Sequence, residues 1–462
     1  MKGKWLARAR KKIKFIFDLA ANERIRIHLL QAFPFWVASL LTGLVAVVYT
    51  RLFGYAEGLL QSLLHWNSGI LFILTPCCFY LAWLTVVKFA PNAKGSGIPQ
   101  VMAAIEIATP GRVEKISRLL SVRIIVVKVI SSLLMILGGG AIGREGPTIQ
   151  ISGSIFRLVS KWIPPSWPRL SNQRFILTGA AAGLAAAFNT PLGGIVFAVE
   201  ELAKIHIRHF RTALFSAVII AGLTAQGLLG PYLYLGFPNV SDLKLSIYAG
   251  VVVTAILAGM GGSFMCKMIL KVMKWKQQFT RTQTVMFLFG AGLLVATIAF
   301  FIDDNILGSG KDLMSSELFS DKKSASWHTV LMRILGPIIC FNTGAAGGIF
   351  APALAAGATI GAFISGVFDI FGSNANILIL SGMVGFLTGV TRTPFTSAIL
   401  VLEMTDRHSV IFHLMIAAMV SNIAALLVDK HSFYEVLKKG YLDDVLQEDP
   451  LPEKNNKEDI SK

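Results

Sequence analysis

Long runs of apolar residues, separated by short polar segments, recur along almost the whole chain. One run covers residues 33–53, another covers residues 69–90, and further runs continue as far as residue 428. A helix that crosses a lipid bilayer needs about 20 predominantly apolar residues. The pattern therefore predicts an all-α polytopic membrane protein.

Composition agrees with this pattern. Hydrophobic residues make up 54% of the chain, charged residues make up 15%, and the mean hydropathy is +0.63. Charged residues normally form about a quarter of a soluble chain. The spacing of the four cysteines fits neither a disulfide framework nor a zinc site, and the eight histidines show no metal-ligand spacing. We expect no metal and no cofactor.

A glycine-rich turn at residues 138–147 carries one carboxylate, Glu145, between two apolar runs at residues 124–137 and 148–159. Neither run is comfortably long enough to cross a bilayer, so we expect two broken helices that meet at membrane depth. Pro147 suits the first turn of the second helix. The free N–H groups and the positive dipole end of that helix would form an anion site beside Glu145.

Three other interpretations of this turn are weaker or incomplete. The spacing of its glycines matches a dinucleotide fingerprint, but the next acidic residue after Glu145 is Glu200, much too far along the chain. A phosphate-binding loop would need Lys and Ser or Thr where Arg144 and Glu145 stand. Close packing of helices explains the glycines but leaves an ionisable residue inside the membrane unexplained.

The second half of the chain repeats the first. Thr190-Pro191 recurs as Thr393-Pro394, and the same shift carries Glu200 onto Glu403. A closely similar shift places a second glycine-rich turn, residues 347–352, opposite the first. Broken helices at corresponding places in two halves are typical of transporters built from repeats. We predict membrane repeats at residues 33–235 and 236–440, with a basic N-terminal segment (1–32) and a short polar tail (441–462).

Comparison of the two halves singles out one carboxylate. Glu200 and Glu403 occupy equivalent places and are interpreted as structural, whereas Glu201 falls opposite Met404. An extra acid in one half, next to a basic cluster at residues 204–211, is more typical of a specialised role than of a scaffold. A solvated helix end is the plainer alternative.

The net charge of +17 is interpreted as a membrane-orientation signal. Basic residues concentrate in loops, in the cluster after Glu201 and in the N-terminal segment, where interleaved aromatic residues favour an amphipathic helix on an anionic membrane surface. Nucleic-acid binding is not expected. Both termini and the 271–281 loop are predicted to be cytoplasmic, and the acidic loop at residues 303–321 is predicted to face outside. We see no cleavable signal peptide, and we expect a bacterial inner membrane location.

Four motifs occur in a fixed order: residues 95–99 (GSGIP), residues 143–147 (GREGP), residues 347–352 (GGIFAP) and the late Tyr434. Together they resemble the CLC family of chloride channels and chloride/proton exchangers, in the prokaryotic form without cytoplasmic regulatory domains. The resemblance covers residues 33 to about 440. It implies an inverted repeat of tilted and broken helices, with one ion pathway in each subunit of a homodimer.

The resemblance also implies roles for particular residues. The hydroxyls of Ser96 and Tyr434 and the backbone N–H groups of Ile349 and Phe350 would bind a central chloride. Glu145 would be the external gate and proton acceptor, a role that its place in the glycine-rich turn supports independently. By the same resemblance, Glu201 is similar to the internal proton-transfer glutamate of the exchangers.

The predicted function is therefore a proton-coupled chloride antiporter, with a passive chloride channel of the same fold as the alternative. Glu201 favours the antiporter, and Ser96 is similar to the chloride-preferring members rather than the nitrate-selective ones. Gln100, where many relatives have an acid, and Ala345-Ala346, at a place often held by proline, depart from the family pattern. An intramembrane hydrolase built on Ser154 with His206 or His209 is disfavoured, because those histidines lie in a basic loop, and we expect no enzyme.

Overall fold

A computed structural model describes residues 23–109, 111–164, 166–168, 170–202, 211–230, 233–241, 243–321 and 323–447. Most of the basic N-terminal segment, most of the polar tail, and nearly all of the basic cluster that contains His206 and His209 lie outside the described residues. The predictions for these segments stay predictions.

Helices account for most of the described chain. Those of the first half are α1 (Glu23–Trp66), α2 (Leu71–Phe89), α3 (Ile98–Glu106), α4 (Ile116–Leu119), α5 (Val122–Leu137), α6 (Glu145–Lys161), α7 (Asn172–Phe188), α8 (Pro191–Phe197) and α9 (Arg211–Leu229). Those of the second half are α10 (Ile247–Lys276), α11 (Arg281–Phe301), α12 (Lys311–Phe319), α13 (Trp327–Phe341), α14 (Phe350–Val367), α15 (Gly372–Thr391), α16 (Pro394–Thr405), α17 (Ile411–Val428) and α18 (Phe433–Gln447).

Nine helical segments within the described part of the chain are long and apolar enough to cross a membrane. The predicted breaks are present: α5 ends at Leu137, the glycine-rich turn follows, and α6 begins at Glu145. In the second half, α13 ends at Phe341 and α14 begins at Phe350. The prediction of an all-α membrane protein with interrupted helices is confirmed.

The first helix is much longer than its apolar run. Residues 33–53 were expected to form the first membrane segment, whereas α1 extends over 44 residues from Glu23 to Trp66. Gly54 and Gly58 do not interrupt it, and nothing lies within 4 Å of a Cβ added at either position. The sequence pattern showed where the apolar run ends, at residue 53, but it did not show that the helix continues to Trp66.

Burial separates central helices from peripheral ones. In the most apolar stretch of α15, 94% of the residues are buried inside the protein, and in that of α14, 83% are buried. The corresponding stretches of α9 and α11 are 39% buried, so their other faces present apolar side chains outward. The two glycine-rich turns lead into α6 and α14, and most residues of both helices are buried. The predicted site therefore lies inside the protein.

Two reciprocal contacts reflect the repeat. Helix α6 packs on α7, and α14 packs on α15 in the same way. Glu200 accepts hydrogen bonds from the N–H groups of Phe395 and Thr396 (3.2 and 2.7 Å), and Glu403 accepts them from Leu192 and Gly193 (3.0 and 2.8 Å). Each carboxylate therefore caps the first turn of the short helix from the other half. This is the structural role that the comparison of the halves predicted.

Candidate functional site

The three glycine-rich motifs meet at one junction. Gly143 and Gly348 exchange both backbone hydrogen bonds, each at 2.7 Å, as two segments related by a two-fold axis would do. The Gly95 N–H donates to the Ala345 carbonyl at 2.8 Å, and the Gly95 carbonyl accepts from Gly347 at 3.1 Å. These contacts bring the amino ends of α3, α6 and α14 together.

Glu145 is the first residue of α6, and its side chain is 1% exposed. Its carboxylate is directed at the backbone N–H groups of Glu145 itself and of Ala351 in the first turn of α14. A Cβ added at Gly143 would overlap Oε2 of Glu145 and would touch Ala351 and Pro352. The carboxylate therefore lies at the positive end of α14, where an anion would be stabilised.

Ser96 and Tyr434 contribute two buried hydroxyls to the same junction. Their side chains are 2% and 0% exposed; the hydroxyls face each other, but neither makes a hydrogen bond of good geometry within the described chain. The Oγ of Ser96 lies against Gly146, since a Cβ added there would overlap it. The Tyr434 ring stacks on the Phe350 ring with centroids 6.4 Å apart. Buried hydroxyls are rarely left unpaired, and an anion would pair both.

Ile349 and Phe350 lie at the start of α14. Ile349 is the residue before the helix, its carbonyl accepts from the Ala353 N–H at 2.9 Å, and Phe350 is the first helical residue. The first N–H groups of any α-helix have no partner within that helix. Their position beside Tyr434 fits them to donate to a small anion.

Two cavities approach this junction. One, of about 270 Å³, is lined by Glu57, Arg144, Glu145, Tyr234, Ser309 and Lys311, among others, and is called the Glu145 vestibule. The other, of about 290 Å³, is called the Ser96 vestibule and is lined by Lys94, Ser96, Gln100, Lys276, Asn342 and Tyr441, among others. They share no lining residue. Glu145 lines one of them, and Ser96 lines the other.

Glu201 lies in a different cavity. It is in the π-helical turn Ala198–Leu202 that follows α8, and it lines a space of about 230 Å³ together with Glu106, Gln173 and Lys438. The ammonium of Lys438 pairs with Glu106 at 3.1 Å and with Glu435 at 2.6 Å. None of the residues around this Glu201 cavity lines the Ser96 vestibule.

Lys128 is a buried cation that the sequence analysis did not single out. Its side chain is 0% exposed, and its ammonium donates to the carbonyls of Ala93 and Gly95 at 2.9 and 2.8 Å. These bonds hold the backbone that precedes Ser96 in place. The sequence feature that could have identified Lys128 is its position as the one lysine inside the apolar run of α5.

The two departures from the family pattern have local explanations. The amide of Gln100 donates to the Lys94 carbonyl at 2.7 Å and to the Tyr441 hydroxyl at 3.0 Å, which an ionised acid could not do. The Ala346 N–H donates to the Ser131 hydroxyl at 3.0 Å. A proline at that position would have no N–H to donate.

Ser154 does not form a catalytic dyad with a described residue. It is buried in α6, and its hydroxyl donates to the Gln150 carbonyl one turn earlier, at 2.8 Å. This bond gives Ser154 the ordinary role of a buried helical serine. His206 and His209 lie outside the described residues.

Comparisons with known proteins agree with this arrangement. The chain is 28% identical over 423 residues to the H⁺/Cl⁻ exchange transporter ClcA of Salmonella paratyphi B, a match that covers 87% of this chain and 86% of the relative. ClcA of Salmonella newport matches equally well. The crystal structure of a slow cyanobacterial Cl⁻/H⁺ antiporter superimposes with a TM-score of 0.77 at 24% identity, covering 89% of this chain and 97% of that one.

A CLC-type fluoride/proton antiporter also shares the fold, with a TM-score of 0.72 at 19% identity over 90% of this chain and 99% of that chain. Residues 77–426 match the family described as voltage gated chloride channel, which is about three quarters of the chain. The order of the motifs, the broken helices and this match lead to one conclusion: the chain belongs to the voltage gated chloride channel (CLC) family.

Proposed function

We propose that this protein is a proton-coupled antiporter that moves chloride and protons in opposite directions across a membrane. The observation that carries the proposal is the position of the Glu145 carboxylate. It lies at the amino end of α14 and lines the Glu145 vestibule, which has no described lining residue in common with the Ser96 vestibule, while Glu201 lines a third cavity. The relatives named as H⁺/Cl⁻ exchangers support the same assignment.

Chloride would bind at the junction between the hydroxyls of Ser96 and Tyr434 and the N–H groups of Ile349 and Phe350. Chloride makes weak directional demands, so partial charges at a helix end and neutral hydroxyls can replace its water. A lysine or arginine in direct contact would bind more tightly and release more slowly. Lys128 is one step removed, because its ammonium is held by the carbonyls of Ala93 and Gly95.

Glu145 would act as the gate because its carboxylate and chloride compete for the same positive helix end. Two anions cannot occupy one buried site without a large electrostatic cost. Protonation of Glu145 removes the competing charge and lets the side chain leave the site to an anion. One proton taken up at Glu145 is thereby exchanged for an anion in the pathway, which is the chemical basis of coupling.

Glu201 would supply protons from the side of the Ser96 vestibule. The Glu201 cavity is lined by acidic, amide and basic side chains, which suits transfer of protons with water. Because this cavity and the Ser96 vestibule have no wall residue in common, protons would reach the gate by a route that chloride does not use. A passive channel has no need of such a second route.

The assembly and location are proposals as well. We propose a homodimer with one pathway per subunit, in a bacterial inner membrane, with both termini in the cytoplasm. Residues 33–235 and 236–440 remain the proposed limits of the two repeats. Cross-linking in native membranes and light scattering of the purified protein in detergent test the dimer.

The decisive experiment uses purified protein in liposomes. Chloride is high inside and low outside, the pH is equal on both sides, and equal potassium with valinomycin holds the voltage near zero. An antiporter couples outward chloride flow to inward proton movement, so the external pH rises and the change collapses when a protonophore is added. A passive channel moves chloride with no such pH change, and that result would overturn the proposal.

A further inference from the structure

Lys276 is a partly buried cation in the wall of the Ser96 vestibule. It is the last residue of α10. Its ammonium donates a hydrogen bond to the carbonyl of Asn342, which ends α13, and it lies 4.4 Å from the centroid of the Phe287 ring. These two contacts fix the ammonium at the vestibule wall.

The charge of Lys276 is not neutralised by its surroundings. The described residues that line the Ser96 vestibule include two lysines, Lys94 and Lys276, and among them there is no aspartate or glutamate. Lys94 has an acid at the rim, since its ammonium is 3.9 Å from Asp444. Among the described residues, no carboxylate oxygen is recorded within 4.0 Å of the Lys276 ammonium. The vestibule therefore carries a net positive charge next to the path toward Ser96.

The bond from Lys276 to the carboxyl end of α13 uses only part of its hydrogen-bonding capacity. An ammonium has three N–H donors, and the Asn342 carbonyl accepts from one of them. An uncharged polar side chain would cap the same carbonyl without the cost of partly burying a charge. The remaining donors have access to a cavity large enough for a hydrated anion.

We propose that Lys276 forms an anion-recruiting site for chloride in the Ser96 vestibule, ahead of the central site at Ser96 and Tyr434. A positive charge in a recess with low-dielectric walls concentrates anions there and raises their rate of arrival. A single ammonium in a water-filled space holds chloride weakly enough to release it inward. The site lowers the chloride concentration that half-maximal transport needs on that side of the membrane. It does not change the rates of the later exchange steps.

This inference rests on the proposed function for its transport readout. The Ser96 vestibule includes Lys276 and Gln277 of the 271–281 loop, which is predicted to be cytoplasmic, so it should face outward in everted membrane vesicles. In such vesicles we expect Lys276→Met to raise the apparent KM for uptake of radiolabelled chloride roughly three- to tenfold at low ionic strength. The rate at saturating chloride should stay within about twofold of the wild-type rate, because a recruiting site acts on arrival only. In right-side-out vesicles the KM should not change.

Three further variants separate charge from structure. Lys274→Met removes the same charge from the last turn of the same helix, but Lys274 is exposed and does not line the vestibule, so its KM should match the wild type. Lys276→Arg should keep the wild-type KM. Lys276→Gln keeps a donor for the Asn342 carbonyl without the charge, and should behave like Lys276→Met.

A binding measurement makes the inference independent of transport. Crystals grown in bromide should show an anomalous peak beside Lys276 in the wild type, and that peak should vanish in Lys276→Gln while one at Ser96 and Tyr434 remains. If the wild-type protein moves no protons against chloride, the proposed function is wrong. The presence or absence of the bromide peak still tests anion binding at Lys276 in that case. Normal transport with an unchanged KM in Lys276→Gln and no bromide at Lys276 would overturn the inference, as would an equal rise of KM in Lys274→Met.

Discussion

Glu145, Ser96 and Tyr434 place one carboxylate and two hydroxyls at the junction where the amino ends of α3, α6 and α14 come together. Neither hydroxyl makes a hydrogen bond of good geometry in the described chain, and the carboxylate is directed at backbone N–H groups of α6 and α14. In the proposed mechanism this site binds an anion, and one proton on Glu145 decides whether that anion is the carboxylate or chloride.

Replacement of Glu145 by alanine tests this competition. Glu145→Ala removes the carboxylate that occupies the positive end of α14, so we expect chloride flux to continue while proton counterflow disappears. The measurement is simultaneous recording of chloride and external pH in liposomes. Glu57→Gln is the matched control, because it removes a negative charge from the same vestibule without touching α14. Persistent proton pumping in Glu145→Ala would contradict the gating role.

Glu201 is tested by a substitution that preserves its shape. Glu201→Gln cannot carry a proton through ionisation, so proton movement should fall to background while chloride still flows. Proton flux at a fixed chloride gradient is the quantity to measure. Glu106→Gln lines the same cavity and should retain coupling, since Glu106 is paired with Lys438. Normal coupling in Glu201→Gln would move the proton path elsewhere.

The sequence predicted the residues whose roles follow from their own motif. Glu145 stands beside glycines and a proline that mark a helix start, whereas Ile349 and Phe350 were named through the resemblance to the family, and the roles of all three remain predictions. Lys128 and Lys276 could not be assigned in this way, because their partners are carbonyls far away in the chain. A single lysine in an apolar run indicates that its ammonium has hydrogen-bond acceptors in the folded protein, but the sequence does not show which groups these are.

At the scale of elements, the site depends on where helices begin. The amino ends of α6 and α14 meet through the paired hydrogen bonds of Gly143 and Gly348. Glycine and proline mark these starts in the sequence, which is why both broken helices were predictable. The π-helical turn that carries Glu201 was not, since its residues are ordinary helix formers and its geometry depends on the packing around them.

Close approach of α14 and α15 fixes the second broken helix in place, and one glycine tests it. A Cβ at Gly357 would overlap the Gly382 carbonyl and lie 2.7 Å from the Met383 Cα, and backbone atoms have little room to yield. We expect Gly357→Ala to destabilise the protein by about 1–3 kcal/mol or more. The apparent melting temperature of the purified protein in one detergent measures the effect.

Gly290 provides the control for that substitution. It lies in α11, and nothing stands within 4 Å of the Cβ that alanine would add. Gly290→Ala should therefore leave the melting temperature unchanged or raise it slightly, because alanine favours a helix over glycine by about 1 kcal/mol. Equal melting temperatures for the Gly357 and Gly290 variants would show that α14 and α15 are not as tightly packed as described.

At the scale of the whole molecule, two similar halves enclose a centre that three separate cavities approach. The repeat of motifs in the sequence indicated the two halves and the central position of the site. It could not indicate the cavities, because their walls combine residues from distant elements, such as Lys94, Lys276 and Tyr441 around the Ser96 vestibule. In the proposed mechanism, the Ser96 vestibule and the Glu201 cavity give chloride and protons different routes, since the two have no described lining residue in common.

Blocking each route alone tests that separation. In a Cys77→Ser background, which removes the exposed native thiol, Gln277→Cys places a thiol in the Ser96 vestibule and Gln173→Cys places one in the Glu201 cavity. A bulky, membrane-impermeant thiol reagent should stop chloride and protons together in the Gln277→Cys variant, because exchange needs the anion. In the Gln173→Cys variant the same reagent should reduce proton movement while chloride continues, as in Glu201→Gln. If modification of the Gln173→Cys variant stopped chloride and protons to the same extent, the two ions would share one path, and the two-route mechanism would fail.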